Sequence, residues 1–287
     1  MRKSFIALLA CGVLSAAAAA QTEKVQLRLV PAPDQSVRFR MATEFTMGPA
    51  AGTDAQGPGV LPQVTMAMNM AFTQTTGHPD EGGRVKAEMT WDEANGSMTM
   101  DGKTTPIDTM SSFLGRQMTA VYDSTGKLVD LQAPPEMAAM FEPIKQMMTS
   151  MFPGMPEAPF GVGDTASVPL HFALPTQGIG GAPAMNGKST FTLRSISNEG
   201  SERIAHFDQT IEAATQAAND SASSPMAVQF QMKGTGTMDY NVDRGIVVAN
   251  ESHGTMDMKT QFAGDHPKGL PNLDMHGTMK MTLAATY

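Results

Sequence analysis

Cysteine and large aromatics are nearly missing from this chain of 287 residues, which has one Cys, one Trp and three Tyr. A single thiol excludes an intrachain disulfide framework, and no CxxC pair is present to hold zinc. No apolar run approaches the roughly 20 residues that a membrane-spanning helix needs. Basic residues are also short, with 20 Lys and Arg against 28 Asp and Glu, for a net charge of −8. That balance disfavours nucleic acid and anionic headgroups as partners, and no basic groove with aromatic platforms is present. HExxH, a calcium loop, a G-x-S-x-G elbow, a phosphate loop and a dinucleotide fingerprint are all absent. No motif calls for a cofactor, and the expectation is a protein that is not an enzyme. An envelope hydrolase would need a Ser/His/Asp convergence that spacing alone does not reveal. Pairs such as Asp164 with Glu157, or Asp208 with Glu212, are what any acidic chain supplies.

The first twenty residues read as an export signal. Met1-Arg2-Lys3 is a short positive start, Phe5 to Leu14 is apolar, and Ala16 to Ala20 supplies small residues before Gln21-Thr22-Glu23-Lys24. This layout places cleavage after Ala20 and gives a periplasmic or secreted chain. Leu8-Leu9-Ala10-Cys11 is a lipobox-like alternative, disfavoured because the apolar run continues beyond Cys11. Residues 21–287 then form a single β-rich domain without cysteine. Loss of Arg2 and Lys3 moves its charge to −10.

Most of that domain alternates with period two, the pattern of half-buried strands. Val25, Leu27 and Leu29 share one face, as do Val37, Phe39, Met41, Phe45 and Met47. Val64, Met66, Met68, Met70 and Phe72 face Val85, Ala87, Met89 and Trp91 across a Gly/Pro-rich turn at 77–83. Asp123-Ser124-Thr125-Gly126 and Val242-Asp243-Arg244-Gly245 read as type I turns with a bulge. Asn186-Gly187 and Asn198-Glu199-Gly200 read as further turns. One segment has helical spacing instead: Met137, Met140, Phe141, Ile144, Met147, Met148 and Met151, with Pro143 interrupting. The expected fold is therefore about ten strands in a curved antiparallel sheet, a half-barrel or open barrel, with one main helix packed on its concave face.

Methionine takes the place of the missing aromatics, at 26 residues against 13 Phe. It recurs at alternate positions (Met66, Met68, Met70; Met98, Met100; Met256, Met258; Met279, Met281), so the sulfurs form stripes on single strand faces. Thioethers suit adaptable apolar binding and soft-metal ligation alike. In His253-Gly254-Thr255-Met256-Asp257-Met258 and its echo His276 to Met281, the pleat sends each His away from its methionines. The stripes run on into Phe45, Phe72, Trp91, Phe230 and Leu283. The favoured reading is therefore a face for a lipid, an acyl chain or an envelope protein partner, with Met66, Met68, Met70, Met89, Met140, Met147, Met256, Met258, Met279 and Met281 as ligand-facing residues. The alternative is a periplasmic copper-binding protein using the Met66, Met68, Met70 stripe. His78, His171, His206 and His266 lack mutual spacing and read as surface histidines.

Leu27-Arg28-Leu29, Phe39-Arg40-Met41, the hairpin from Gly115 to Gly126 and the Pro159–Asp164 turn together resemble a loose family of uncharacterised exported bacterial proteins. That family implies no activity and no catalytic residues. A curved sheet over a helix is similar in architecture to periplasmic lipoprotein-carrier half-barrels, which implies lipid or lipoprotein binding. N-terminal sequencing of the protein recovered from an envelope fraction should begin at Gln21, and a lipidated start at Cys11 would overturn that assignment.

Overall fold

The computed structural model describes residues 24–27, 32–50, 62–124, 126–135, 145, 155–156, 158–173, 184–215, 226–262 and 274–287. In chain order the strands are β1 (Ser36–Pro49), β2 (Val64–Thr76), β3 (Val85–Met100), β4 (Lys103–Pro106), β5 (Gln117–Tyr122) and β6 (Leu128–Gln132). They continue as β7 (Thr165–Ala173), β8 (Ala184–Glu199), β9 (Glu202–Thr215), β10 (Met226–Asn241), β11 (Ile246–Phe262) and β12 (Asp274–Thr286). All twelve belong to one antiparallel sheet in the order β6-β5-β3-β2-β1-β12-β11-β10-β9-β8-β7, with β4 paired to β3. The sheet is open, since β6 and β7 end it without meeting. The C-terminal strand β12 lies at its centre, beside β1, so the two sequence halves zip together from Arg38↔Thr286 to Pro49↔Met275.

The expected helix over 135–151 lies outside the described residues except at Pro135 and Lys145. The Lys145 ammonium pairs with Asp130 on β6 at 2.7 Å. Among the described residues the regular helical element is the 3-10 turn Asp108–Phe113. Both expected hairpin turns are present. Lys127 N–H donates to Asp123 Oδ1 at 3.0 Å, and the N–H groups of Asp243 and Arg244 donate to Asn241 Oδ1. A register shift accompanies each hairpin, between Val121 and Tyr122 and between Asp239 and Tyr240. Val25 and Leu27, expected on a strand, instead cross the sheet as a strap joined to Phe160 by one antiparallel bridge.

Side-chain alternation sorts the sheet into two chemistries. One face carries Val37, Phe39, Met41, Phe45 and Met47 of β1, and the register carries that apolar row onto β2 and β12. The other face carries Arg38, Arg40 and Glu44 of β1 together with threonines, His253 and His276. Aromatic rings tie the strands together on the apolar side: Phe39 stacks on Phe72 at 5.2 Å, Phe72 meets Trp91 at 5.3 Å, and Trp91 meets Phe113 at 6.1 Å. Toward the other end of the sheet, on the same face, Val25, Leu27 and Phe160 are almost fully buried against Leu193, Phe207, Met238 and Tyr240. Phe160 and Phe207 meet edge to face at 5.2 Å.

Asn186-Gly187 is not a turn. Gly187 lies inside β8, paired with Ala213 of β9, and a Cβ there would stand 2.7 Å from the Ala213 Cβ and on top of the Glu212 carbonyl. Gly236 of β10 is in the same position against β11, where an added Cβ would lie 2.9 Å from the Ser252 Cβ. Both missing side chains would point to the apolar face, so at these positions neighbouring strands tilt toward one another on that side. The bend brings distant parts together: Gly83 and Asp123 from the β3 and β5 side line one cavity of ≈ 580 Å³ with Arg203 and Arg244 from the β9–β11 side. Gly187→Ala should destabilise the fold by about 2 kcal/mol or more in urea unfolding. Alanine at Gly102 meets no atom within 4 Å, so its cost there is the strain of a left-handed backbone at φ +73° and not a clash.

Candidate functional site

Cross-strand register brings the methionines of different strands side by side on the apolar face. Met41 stands opposite Met70, Met66 opposite Met98, Met232 opposite Met256, and Met258 opposite Met275. Met279 faces Phe45 of β1, and Met281 faces Thr43, which faces Met68 in turn. Six strands thus contribute sulfur to one surface.

Burial divides the expected ligand-facing residues. Met256 is buried, and Met258 and Met279 are half-buried, in a cluster running from Phe45 and Met47 through Met232 and Phe230 to Ala213 and Met185. Met66, Met68, Met70 and Met281 are half-buried. Exposure grows along β3, to 37% at Met98 and 44% at Met100. Met89 belongs elsewhere: it packs with Met118, Leu128 and Leu131 under Trp91, a filled core. Met140 and Met147 lie outside the described residues.

His171, His206, His253 and His276 lie on the polar face. His253 pairs with Glu251 at 3.3 Å, and His276 Nδ1 lies 2.8 Å from Asp257 Oδ1. The register confirms the arrangement, because the two echoed segments are adjacent antiparallel strands with His276 opposite Asp257 and Met256 opposite Gly277. Among the described residues no group of three or more His, Cys, Asp or Glu could hold a metal ion. His206 departs from the expected surface role, being half-buried and bonded to Ser197 and Asp239. Spacing in the sequence gave no sign of that grouping.

The cavity at the bent end is edged with charge. Arg203 donates to Asp243 through its side chain and its backbone N–H, and holds that carboxyl below the usual range. Arg244 donates to Glu202 at 2.6 Å and lies 3.9 Å over the Tyr287 ring, whose hydroxyl donates to the same carboxylate. Those two bonds, Tyr287's first, lower the Glu202 pKa, and Asn241 Nδ2 adds a third. A second cavity of ≈ 670 Å³ lies between Thr46, Glu44, Lys280, His253, Lys233 and Glu212, side chains of the polar face.

No family model matches the chain, and no curated protein matches it. Among solved structures, one described as showing lipid–protein interactions in lipovitellin superposes with a TM-score of 0.50 and 12% identity. The match takes in 89% of this chain and 25% of that one, so this chain spans a quarter of that protein's length. The likeness is one of fold. An acetoacetate decarboxylase-like enzyme from Sphingomonas wittichii RW1 aligns over 88% of this chain and 91% of its own, but with a TM-score of 0.16 and 9% identity it carries no argument. Among the described residues no helix is long and apolar enough to cross a membrane.

The Glu202 cluster has a consequence for acid stability. A carboxyl whose folded pKa is lowered stabilises the fold fully above its unfolded value of 4.5 and loses that contribution as pH falls through the lower folded value. Thermal melts should therefore show Glu202→Gln narrowing the gap to wild type as pH drops below about 4.5. A gap that holds constant down to pH 2 would contradict the assignment.

Proposed function

We propose that this protein is exported to the envelope and binds the acyl chains of lipids on its methionine-lined face. The observation that carries this reading is the half-burial of Met66, Met68, Met70, Met279 and Met281 on one continuous apolar surface. An unbranched thioether with three rotatable bonds adapts to an acyl chain without demanding one shape. The inward-pointing glycines support a concave surface, a half-barrel that can wrap a chain. The fold likeness to lipovitellin supports the same ligand class by analogy, as does the export signal for the location.

The energetics are adequate. Each methylene withdrawn from water contributes about 0.8 kcal/mol, so roughly a dozen of them supply about 10 kcal/mol before the costs of association and ordering. Association costs at least about 4 kcal/mol, so about 6 kcal/mol remain, which corresponds to an affinity on the order of tens of micromolar for a dozen buried methylenes.

Titration of residues 21–287 with a fluorescent long-chain fatty acid should give saturable binding. Met68→Glu with Met70→Glu should weaken it about tenfold or more, since a charge would then sit beneath the chain. Far-UV circular dichroism of the variant checks that the sheet persists. No saturable acyl binding, together with tight Cu(I) binding against a competing chelator, would replace this reading with the thioether copper site.

A further inference from the structure

His206 on β9 is held between two partners drawn from the strands on either side. Its Nδ1 lies 2.7 Å from Oδ1 of Asp239 on β10, and its Nε2 lies 2.8 Å from Oγ of Ser197 on β8. The carboxylate accepts the Nδ1 proton, which leaves the Nε2 lone pair to accept the serine hydroxyl. This is the order of bonds that a nucleophile, a general base and an orienting carboxylate require.

Two features set this histidine apart. Among the described residues His78, His253 and His276 are each paired with a carboxylate while roughly half or more of the side chain is exposed. The His206 side chain is 20% exposed and joins a carboxylate and a hydroxyl at once. The second feature is the backbone of β8. Odd-numbered residues from Met185 to Leu193 point to the apolar face, and unbroken alternation would send Ser197 there as well. A register shift between Leu193 and Ser195 reverses the parity, so that Ser195 falls opposite His206 and Ser197 comes to the polar face beside it. A bulge that re-aims one side chain next to a reactive group is a recurrent feature of active sites.

We propose that Ser197, His206 and Asp239 form an esterolytic triad on the polar face, acting on small activated esters. Ser197 Oγ attacks the ester carbonyl carbon while His206 Nε2 takes the hydroxyl proton. The carbon–alkoxide bond breaks, and the alcohol leaves with that proton. Water, deprotonated by His206, then attacks the acyl-serine and restores the Ser197 hydroxyl, so ester and water become acid and alcohol. Asp239 acts as a positioning residue, holding the imidazole tautomer. The site is on the opposite face from the proposed acyl surface and departs from the expectation of a purely binding protein.

The test uses residues 21–287 with a fluorescent fluorophosphonate, whose phosphorus Ser197 Oγ would attack with release of fluoride. One label per molecule is expected, at Ser197 by peptide mass spectrometry, and the same protein should hydrolyse p-nitrophenyl acetate. Ser197→Ala should abolish labelling, and His206→Gln should slow it about 100-fold. Ser195→Ala, the neighbouring serine, should leave it unchanged. The groups facing His206 are Asp239 from β10, Ser195 and Ser197 from β8, and Asp208 along β9 with its ion-pair partner Arg194. Asp239→Asn should lower kcat for p-nitrophenyl acetate while leaving KM unchanged, a split that mere packing would not produce. A folded wild-type protein that takes no label, or one labelled equally in His206→Gln, would overturn the triad.

Discussion

The apolar face of this sheet must be kept from water without a second sheet of its own, and most features of the molecule answer that demand. A strand that alternates strictly places half its side chains on one surface, and pairing multiplies that surface by the number of strands. With twelve strands in one sheet, the apolar area exceeds what a single cover can hide. The molecule responds by bending toward the apolar side and by laying the Val25–Leu27 strap and Phe160 over the β8–β10 region. On the opposite flank Phe113 packs on Trp91, and Met89, Met118, Leu128 and Leu131 of the neighbouring strands β3, β5 and β6 form a filled cluster. Between these two filled regions lies the methionine surface.

Glycine is the enabling residue for the bend. At Gly187 and Gly236 the neighbouring strand's Cβ and carbonyl oxygen occupy the volume that a side chain would take. The same omission of side chains that deepens the hollow removes atoms that would have filled it. Methionine is the complementary choice, because a flexible chain can follow a curved surface where a β-branched residue would be confined to one rotamer. Curvature and soft lining thus come from the composition that left aromatics scarce.

Much of the fold was legible because alternation and turn chemistry are local. The strand Ile246–Phe262, the Asp-led hairpins and the opposition of His and Met in the echoed segments could all be read from neighbouring residues. Gly187 was misread because Asn-Gly carries a strong turn signal, and only the approach of β9 tells a crease from a turn. Met89 was assigned to the ligand face because parity places it there, yet it is buried beside Met118, its partner on β5, and Leu128 and Leu131 of β6, a grouping that no short window displays. The pairing of Val25 with Phe160 and the meeting of Ser197, His206 and Asp239 depend on register across strands. A single bulge decides whether a serine faces oil or water, and nothing in Leu193-Arg194-Ser195 announces it.

The thioether surface has a chemical liability that a surface of leucine or phenylalanine would lack. One oxygen atom turns a methionine into its sulfoxide, a polar and chiral group, and reductases specific for each epimer reverse the change. Met98 and Met100, the most exposed methionines of the face among the described residues, stand where an oxidant arrives first. Whatever this surface holds in its reduced form, it would hold less firmly once oxidised. In the proposed acyl-binding role, affinity would therefore follow the redox state of the surroundings, and repair of a few sulfurs would restore it without new protein.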